Sequence, residues 1–398
     1  MHPRLVKYLP ILGVLLLVIL IQLSVTAAGA NYYLTQLTMS AYYSLVILGL
    51  CLLMGYAGQI SLGQAGFFAI GGYTSAALTT VNLMPHAGTS LVRTLLGLGM
   101  VFQREDLYGN ELMSFSPWLA FLAAMILTAA IALIIGIPVI RLRGHYLAMA
   151  TLGFGLIIYR IVLGTGFLGE ADGITGVPPF PLFGLRVSGA LARRVSNYYI
   201  AWVLVLLGML LALNLIRSRV GRALRSIHGS EEAARAMGVD TARHKLATFV
   251  LSAMFAAVGG IFLTHYNGGI GPSEVTGMKS VRYVAIVAVG GMDNLWGALL
   301  MSVLLNFLSL RGYFGTYDDA VFAAILLAIM LFFPEGLLRA PALKNLAFLR
   351  EKLKRLFRPA GPRTPVGAGP GRPAGGRQSA GKRPAQPSRR ASRESEDG

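Results

Sequence analysis

Nine long apolar runs constrain this chain more than any other feature, at about 9–28, 32–54, 60–81, 117–140, 145–167, 198–216, 246–266, 280–310 and 318–333. A bilayer core of ~30 Å is crossed by ~20 helical residues, and most of the runs match one crossing. In lipid every backbone N–H and C=O must be satisfied within the protein, which leaves helices or closed barrels. Runs this continuous, without alternation at every second residue, give helices. The expected class is all-α, a polytopic helical membrane protein with about nine or ten transmembrane segments, several of them broken. Composition agrees: of 398 residues 55% are hydrophobic, 48 more are Gly, and only 13% are charged, about half the quarter found in soluble domains.

The net charge of +18 has two sources. Residues 341–398 carry +10, and the preceding 340 residues carry +8, mostly in loops. A basic tail and a topology signal account for it, so no nucleic-acid partner is expected. The single cysteine, Cys51, lies inside an apolar run, which excludes an intramolecular disulfide and a multi-thiolate metal centre. There is no His-Glu-x-x-His pair and no acidic pair at mid-membrane, so neither a zinc site nor a proton relay is expected.

Loop charges set the orientation. Arg4 and Lys7 place the N-terminus inside, and Arg141, Arg143 and the block 217–245, with seven basic residues, follow on the same side. Loops 82–116 and 168–196 then fall outside. The basic C-terminal tail belongs inside, which requires an even number of crossings. Splitting the overlong run 280–310 at Gly290-Gly291-Met292-Asp293-Asn294 supplies it, giving ten; a re-entrant segment elsewhere would serve as well. Met1–Ala30 also has the layout of a signal peptide, with Ala28-Gly29-Ala30 as a cleavage site, but its apolar core is long for one and a retained helix is expected. The chain divides into a transmembrane domain at 1–340 containing the cytoplasmic loop 217–245, a basic amphipathic segment at 341–358 suited to the anionic inner leaflet, and a Pro/Gly-rich disordered basic tail at 359–398.

Two segments carry chemistry. Gly55–Gly72 holds two Gln and six Gly, a poor composition for a lipid-facing helix. It fits either tight packing with Gln as interhelical glue or a broken helix lining a substrate pathway. On the second reading Gly58, Gln59, Ser61, Gly63, Gln64 and Gly66 line the path, joined by Thr151 and Gly153 from the interrupted stretch after Arg143-Gly144-His145, with backbone N–H groups facing a carboxylate. In 217–245, Val220, Ala223, Leu224 and Ile227 share one helical face opposite Arg219, Arg222 and Arg225. Ser230 caps a second short helix with Glu231 and Glu232 in its first turn, and Gly238 ends it. That helix is either a positive-inside loop element or a docking knob for a cytosolic partner. Arg160, within run 145–167, either snorkels or lines a pathway.

Glu232-Ala233-Ala234-Arg235-Ala236-Met237-Gly238 resembles the EAA-xxx-G loop of ABC importer permeases, though without the Ile-x-Leu-Pro ending many of them have. Over about residues 30–340 the chain is similar to LivM-type permeases of branched-chain amino-acid importers. The resemblance rests on Gly55–Ala65, Arg143–Ala148, Asp172-Gly173-Ile174-Thr175-Gly176-Val177-Pro178, Gly290–Ala298 and Pro334-Glu335-Gly336-Leu337, in that order. The 82–116 loop and the tail depart from it. The resemblance implies an inner-membrane permease that is not itself an enzyme, paired with a second LivH-like permease subunit, two cytoplasmic ATPases and an extracytoplasmic solute-binding protein. Glu231, Glu232, Ala233, Ala234 and Gly238 would couple to the ATPases, and Arg186, Arg193 and Arg194 could meet the binding protein. No Gly-x4-Gly-Lys-Ser/Thr occurs, so ATP would be bound on partner subunits and no cofactor by this chain. Alternatives are a permease of the same architecture for urea or short amides, an ion-coupled secondary transporter, and a membrane scaffold.

Overall fold

The computed structural model describes residues 9–86, 96–97, 100–105, 111–142, 144–182 and 184–312, with isolated positions up to 331. The N-terminal basic residues, part of loop 82–116, Arg143, most of run 318–333, Pro334–Leu337, the amphipathic segment and the tail lie outside the described residues.

Helices follow the apolar runs. They are α1 (Leu9–Ala27), α2 (Tyr32–Cys51), α3 (Gln64–Thr80), α4 (Pro117–Val139), α5 (His145–Gly164), α6 (Arg194–Arg217), α7 (Arg219–Gly229), α8 (Glu231–Ala236), α9 (Thr241–Asn267), α10 (Gly277–Gly290) and α11 (Leu295–Leu310). Six helices among the described residues are long and apolar enough to span a bilayer, counting α2 with the π-helical turn Leu52–Tyr56 that extends it. The chain is a polytopic helical membrane protein.

Three expected crossings are shorter than the sequence runs suggest. α3 has 17 residues, α10 has 14 and α11 has 16. Run 60–81 loses its first turn to an irregular stretch, and run 280–310 splits at Gly291–Asn294, where Asn294 caps α11 by accepting from the N–H groups of Trp296 and Gly297 at 3.2 Å each. In the first break Gln59, Ser61 and Gly63 are buried in protein, where non-helical backbone is tolerated; in the second, Met292 and Asp293 are exposed. In the most apolar 18-residue stretch of each span, 94% of the residues are buried for α2 with its π turn, against 11% for α1 and 28% for each of α4 and α5. So α2 is the central helix, with α6, α9, α10 and α11 packed around it. α1, α4 and α5 present Leu16, Ile126, Ile134 and Ile157 outward, as expected of lipid-facing helices.

Small residues set this packing. α3 and α9 run side by side, where a Cβ on Gly71 would stand 2.6 Å from the Ala257 carbonyl. On the far side of the bundle from α8, the Asp172–Pro178 stretch pairs with the loop after α9, Ile174 with Ile270 and Thr175 with Gly269. Beneath it His265, 1% exposed, joins Pro178 and Ser75. The Pro178 carbonyl can only accept, so Nδ1 carries the proton and Nε2 accepts from the Ser75 hydroxyl. Two short hairpins, Val101–Glu105 with Glu111–Phe115 and Phe180–Leu182 with Leu185–Val187, complete the loops.

Candidate functional site

The break between α2 and α3 begins in the π turn and continues through residues 57–63. Gly58 reverses the chain with φ +66°, a conformation that suits Gly. It sits against His228 of α7, where an added Cβ would lie 3.2 Å from Nδ1. Gln59, Ser61, Gly63 and Gln64 are buried. The Leu62 N–H donates to Thr151 Oγ1 at 2.9 Å and the Ala65 N–H to Ser280 Oγ at 3.2 Å, while Gln64 Nε2 donates to Ser252 Oγ at 3.1 Å.

The backbone N–H groups expected to face a carboxylate here are in part already paired. Those of Gln59, Leu62, Gly63, Ala65 and Gly66 are taken up by Leu53, Thr151, Ser61, Ser280 and Gly63 in turn. The buried atoms with no hydrogen-bond partner are instead acceptors, Oε1 of Gln59 and of Gln64. Thr151 and Gly66 join the break, Gly66 against Phe154 and Gly155. Gly153 does not, since a Cβ there would meet nothing within 4 Å. Its neighbour Gly155 faces the Leu62 carbonyl instead; the helical period decides which Gly faces inward, and the residue type alone could not. Thr151→Val should cost ~1–2 kcal/mol, because it strips the Leu62 N–H of its acceptor without changing volume. A lowered unfolding temperature of the detergent-purified protein, restored by Thr151→Ser, checks this.

The block 217–245 folds into two short helices. Ser218 caps α7, accepting from the Val220 and Gly221 N–H groups at 3.1 and 3.4 Å. Gly221, Leu224 and Ile227 face inward while Arg219, Arg222 and Arg225 stay exposed. Ser230 caps α8 through the Ala233 N–H at 3.3 Å, and Gly238 beyond its end adopts φ +82°. Glu231 clamps α8 to the foot of α9. One carboxylate oxygen pairs with Arg235 at 2.8 Å, the other with Lys245 at 2.5 Å, and Thr241 adds a hydrogen bond at 3.3 Å. Partial burial opposes its charge, but the Lys245 hydrogen bond and the Lys245 and Arg235 charges outweigh that and hold the carboxyl below its ordinary pKa. Ala234 is buried, whereas Glu232, Ala233, Ala236 and Met237 are exposed, Met237 at 84%.

The two segments touch. Arg225 lies over the Tyr56 ring at 5.8 Å, and the Tyr56 hydroxyl donates to the Asp293 carbonyl at 2.8 Å. The π turn, α7 and the α10–α11 turn therefore form one end of the bundle, beside α8. At the other end Arg186 and Arg193 are exposed, whereas Arg194 is half-buried at the start of α6 and acts electrostatically on Tyr266. Arg160 is exposed on the outer side of α5, among Leu156, Ile157, Ile161 and Thr165, the arrangement snorkelling requires.

A charged pair was not among the sequence candidates. Glu274 and Lys279 pair at 2.9 Å, and the Tyr43 hydroxyl donates to both Glu274 oxygens at 3.0 Å. Both charges flank run 280–310 rather than interrupt it, and only Pro272 and Gly277 beside them signalled a bend.

The model of the family described as branched-chain amino acid transport system, permease component, matches residues 32–333. The chain belongs to that family. It is 31% identical over 322 residues to the high-affinity branched-chain amino acid transport system permease protein LivM of Salmonella typhimurium, covering 76% of this chain and 68% of that one. Identity to the LivM of Escherichia coli K12 is 30%, with the same coverage. To the permease protein LivH of Salmonella typhimurium it is 25%, covering 79% of this chain and 98% of the relative. No solved structure matches.

Proposed function

We propose that this chain is one of two permease subunits of an ATP-driven importer that carries branched-chain or related small amino acids into the cytoplasm. Family membership supports the permease role, and similarity to both LivM and LivH supports a second, LivH-like subunit as partner. The observation that carries the mechanism is α8, a short exposed helix clamped by Glu231 to α9 and packed on α7, which itself touches the broken end of α2. The positive-inside pattern puts this end in the cytoplasm, together with the N-terminus and the tail. Two ATPases would engage the exposed face of α8, with ATP bound on them. Their closure would move α9 through the Glu231–Lys245 pair, and the π turn through α7. The extracytoplasmic binding protein would meet the opposite end, where Arg186 and Arg193 are exposed. Access can switch only if nucleotide favours one state over the other.

Purification in mild detergent should bring down two nucleotide-binding chains and a second membrane subunit. The complex in proteoliposomes should take up leucine only with ATP and loaded binding protein. Uphill uptake by this chain alone on an ion gradient would overturn the reading.

A further inference from the structure

α3 and α10 both start inside the bundle rather than at its surface. Ala65, in the first turn of α3, donates to Ser280 in the first turn of α10. Lys279 precedes Ser280, and its Nζ donates to Glu274 at 2.9 and 3.0 Å and to the Tyr43 hydroxyl at 3.2 Å, lying 4.8 Å from that ring centre. Tyr43 is the twelfth of the twenty residues of α2, so the charged pair sits at mid-depth of the central helix. An ionised pair at that depth is costly and marks a functional site. The two side chains retain 20% and 24% exposure, so the pair is not sealed. Two neighbours are left incomplete: Tyr73 and Tyr283, 3% and 1% exposed, have hydroxyls with no hydrogen-bond partner. The Tyr283 ring stands 6.3 Å from that of Tyr43, Tyr73 shares an apolar cluster with Val275, next to Glu274, and both feel the Glu274 charge. A buried phenol gains stability by donating, so two idle donors near the charged pair describe a place for an acceptor on an incoming group.

We propose that Glu274, Lys279, Tyr43, Tyr73 and Tyr283 form a mid-depth binding site for the zwitterionic head of an α-amino acid. The inference rests on the importer reading above and deepens it. Without substrate, Lys279 and Glu274 neutralise each other. A substrate inserts between them, its ammonium on Glu274 and its carboxylate on Lys279, Tyr73 and Tyr283. One charge pair becomes two, which offsets the desolvation of the separated charges. The helix starts at Gln64 and Gly277 add positive potential on the carboxylate side. Urea or a simple amide carries no charges with which to replace the pair, so the site selects amino acids over that alternative cargo.

The test is equilibrium dialysis of radiolabelled leucine against the purified importer complex without binding protein. Leucine should bind in the millimolar range. Isoamylamine and 4-methylpentanoate, each with one of the two charges, should compete at least about tenfold more weakly, and urea should not compete. Tyr73→Phe and Tyr283→Phe remove only unpaired hydroxyls, so a packing role predicts unchanged or higher thermal stability and unchanged binding. The site predicts affinity lowered about three- to tenfold. Exchanging the charges, Glu274→Lys with Lys279→Glu, should restore the unfolding temperature lost in Glu274→Lys alone but not leucine binding. Full binding by either Tyr variant or by the exchanged pair, or no wild-type binding up to about 10 mM, overturns the site. ATP-driven leucine uptake by the wild-type complex is measured in parallel: uptake with a failed site refutes this inference alone, and no uptake refutes the importer reading beneath it.

Discussion

Glu232→Arg and Met237→Asp each leave the permease inserted and folded but lower ATP-driven uptake at least about tenfold, a loss of ~1.4 kcal/mol or more in coupling. Both residues are exposed on α8, and the Ser230 cap, buried Ala234, and Glu231 with Arg235, Thr241 and Lys245 tie the helix to the bundle in either variant. The folded chain therefore tolerates the changes. A partner that encloses α8 would not, because a reversed charge or a carboxylate in a closed apolar groove loses its water without gaining a counter-charge. Gly238→Pro adds a backbone version of the test, since φ near −65° cannot replace +82° at the helix end. Uptake in proteoliposomes, beside ATP hydrolysis and unfolding temperature, separates the cases. Normal uptake by all three variants would remove α8 from the coupling path.

The second large effect is on folding. Gly55→Ala should destabilise the protein by ~3 kcal/mol or more, because the new methyl group would overlap the Met292 carbonyl oxygen and lie 2.5 Å from its carbon. Nothing flexible is there to move aside. The clash is with backbone at the α10–α11 turn, which also receives hydrogen bonds from Cys51 and Tyr56. Gly153→Ala is the matched control: its Cβ meets open space, and Ala in a helix interior gains roughly 0.5–1 kcal/mol over Gly. Yield and unfolding temperature in detergent should fall sharply for the first and hold or rise for the second. Equal behaviour would mean that the α2 end and the α10–α11 turn are not locked together.

The one-dimensional signals in this chain were those of solvent and local chemistry. Apolar runs marked the spans, because lipid demands continuous apolar helix. Ser230, Glu231 and Gly238 marked the ends of α8, because capping acts within four residues. Gly291–Asn294 marked the split of the overlong run. Family motifs, being strings, were also legible. Glycine showed the limit. Gly55, Gly153 and Gly155 look alike as letters, yet one is locked against the Met292 carbonyl, one faces open space and one faces the break.

Taken alone, the sequence determined the class of protein, the approximate spans and the ends of the short helices in block 217–245, which follow from hydropathy, charge and local hydrogen bonding, and the family, which follows from its motifs. Only the tertiary structure decided which backbone donors at the α2–α3 break are already satisfied, which arginines are exposed, and that Tyr43, Glu274 and Lys279 converge at mid-depth. The partners in those arrangements lie as many as 236 residues apart in the chain. Long-range contacts of this kind are set by how helices pack, and no local pattern of residues encodes them.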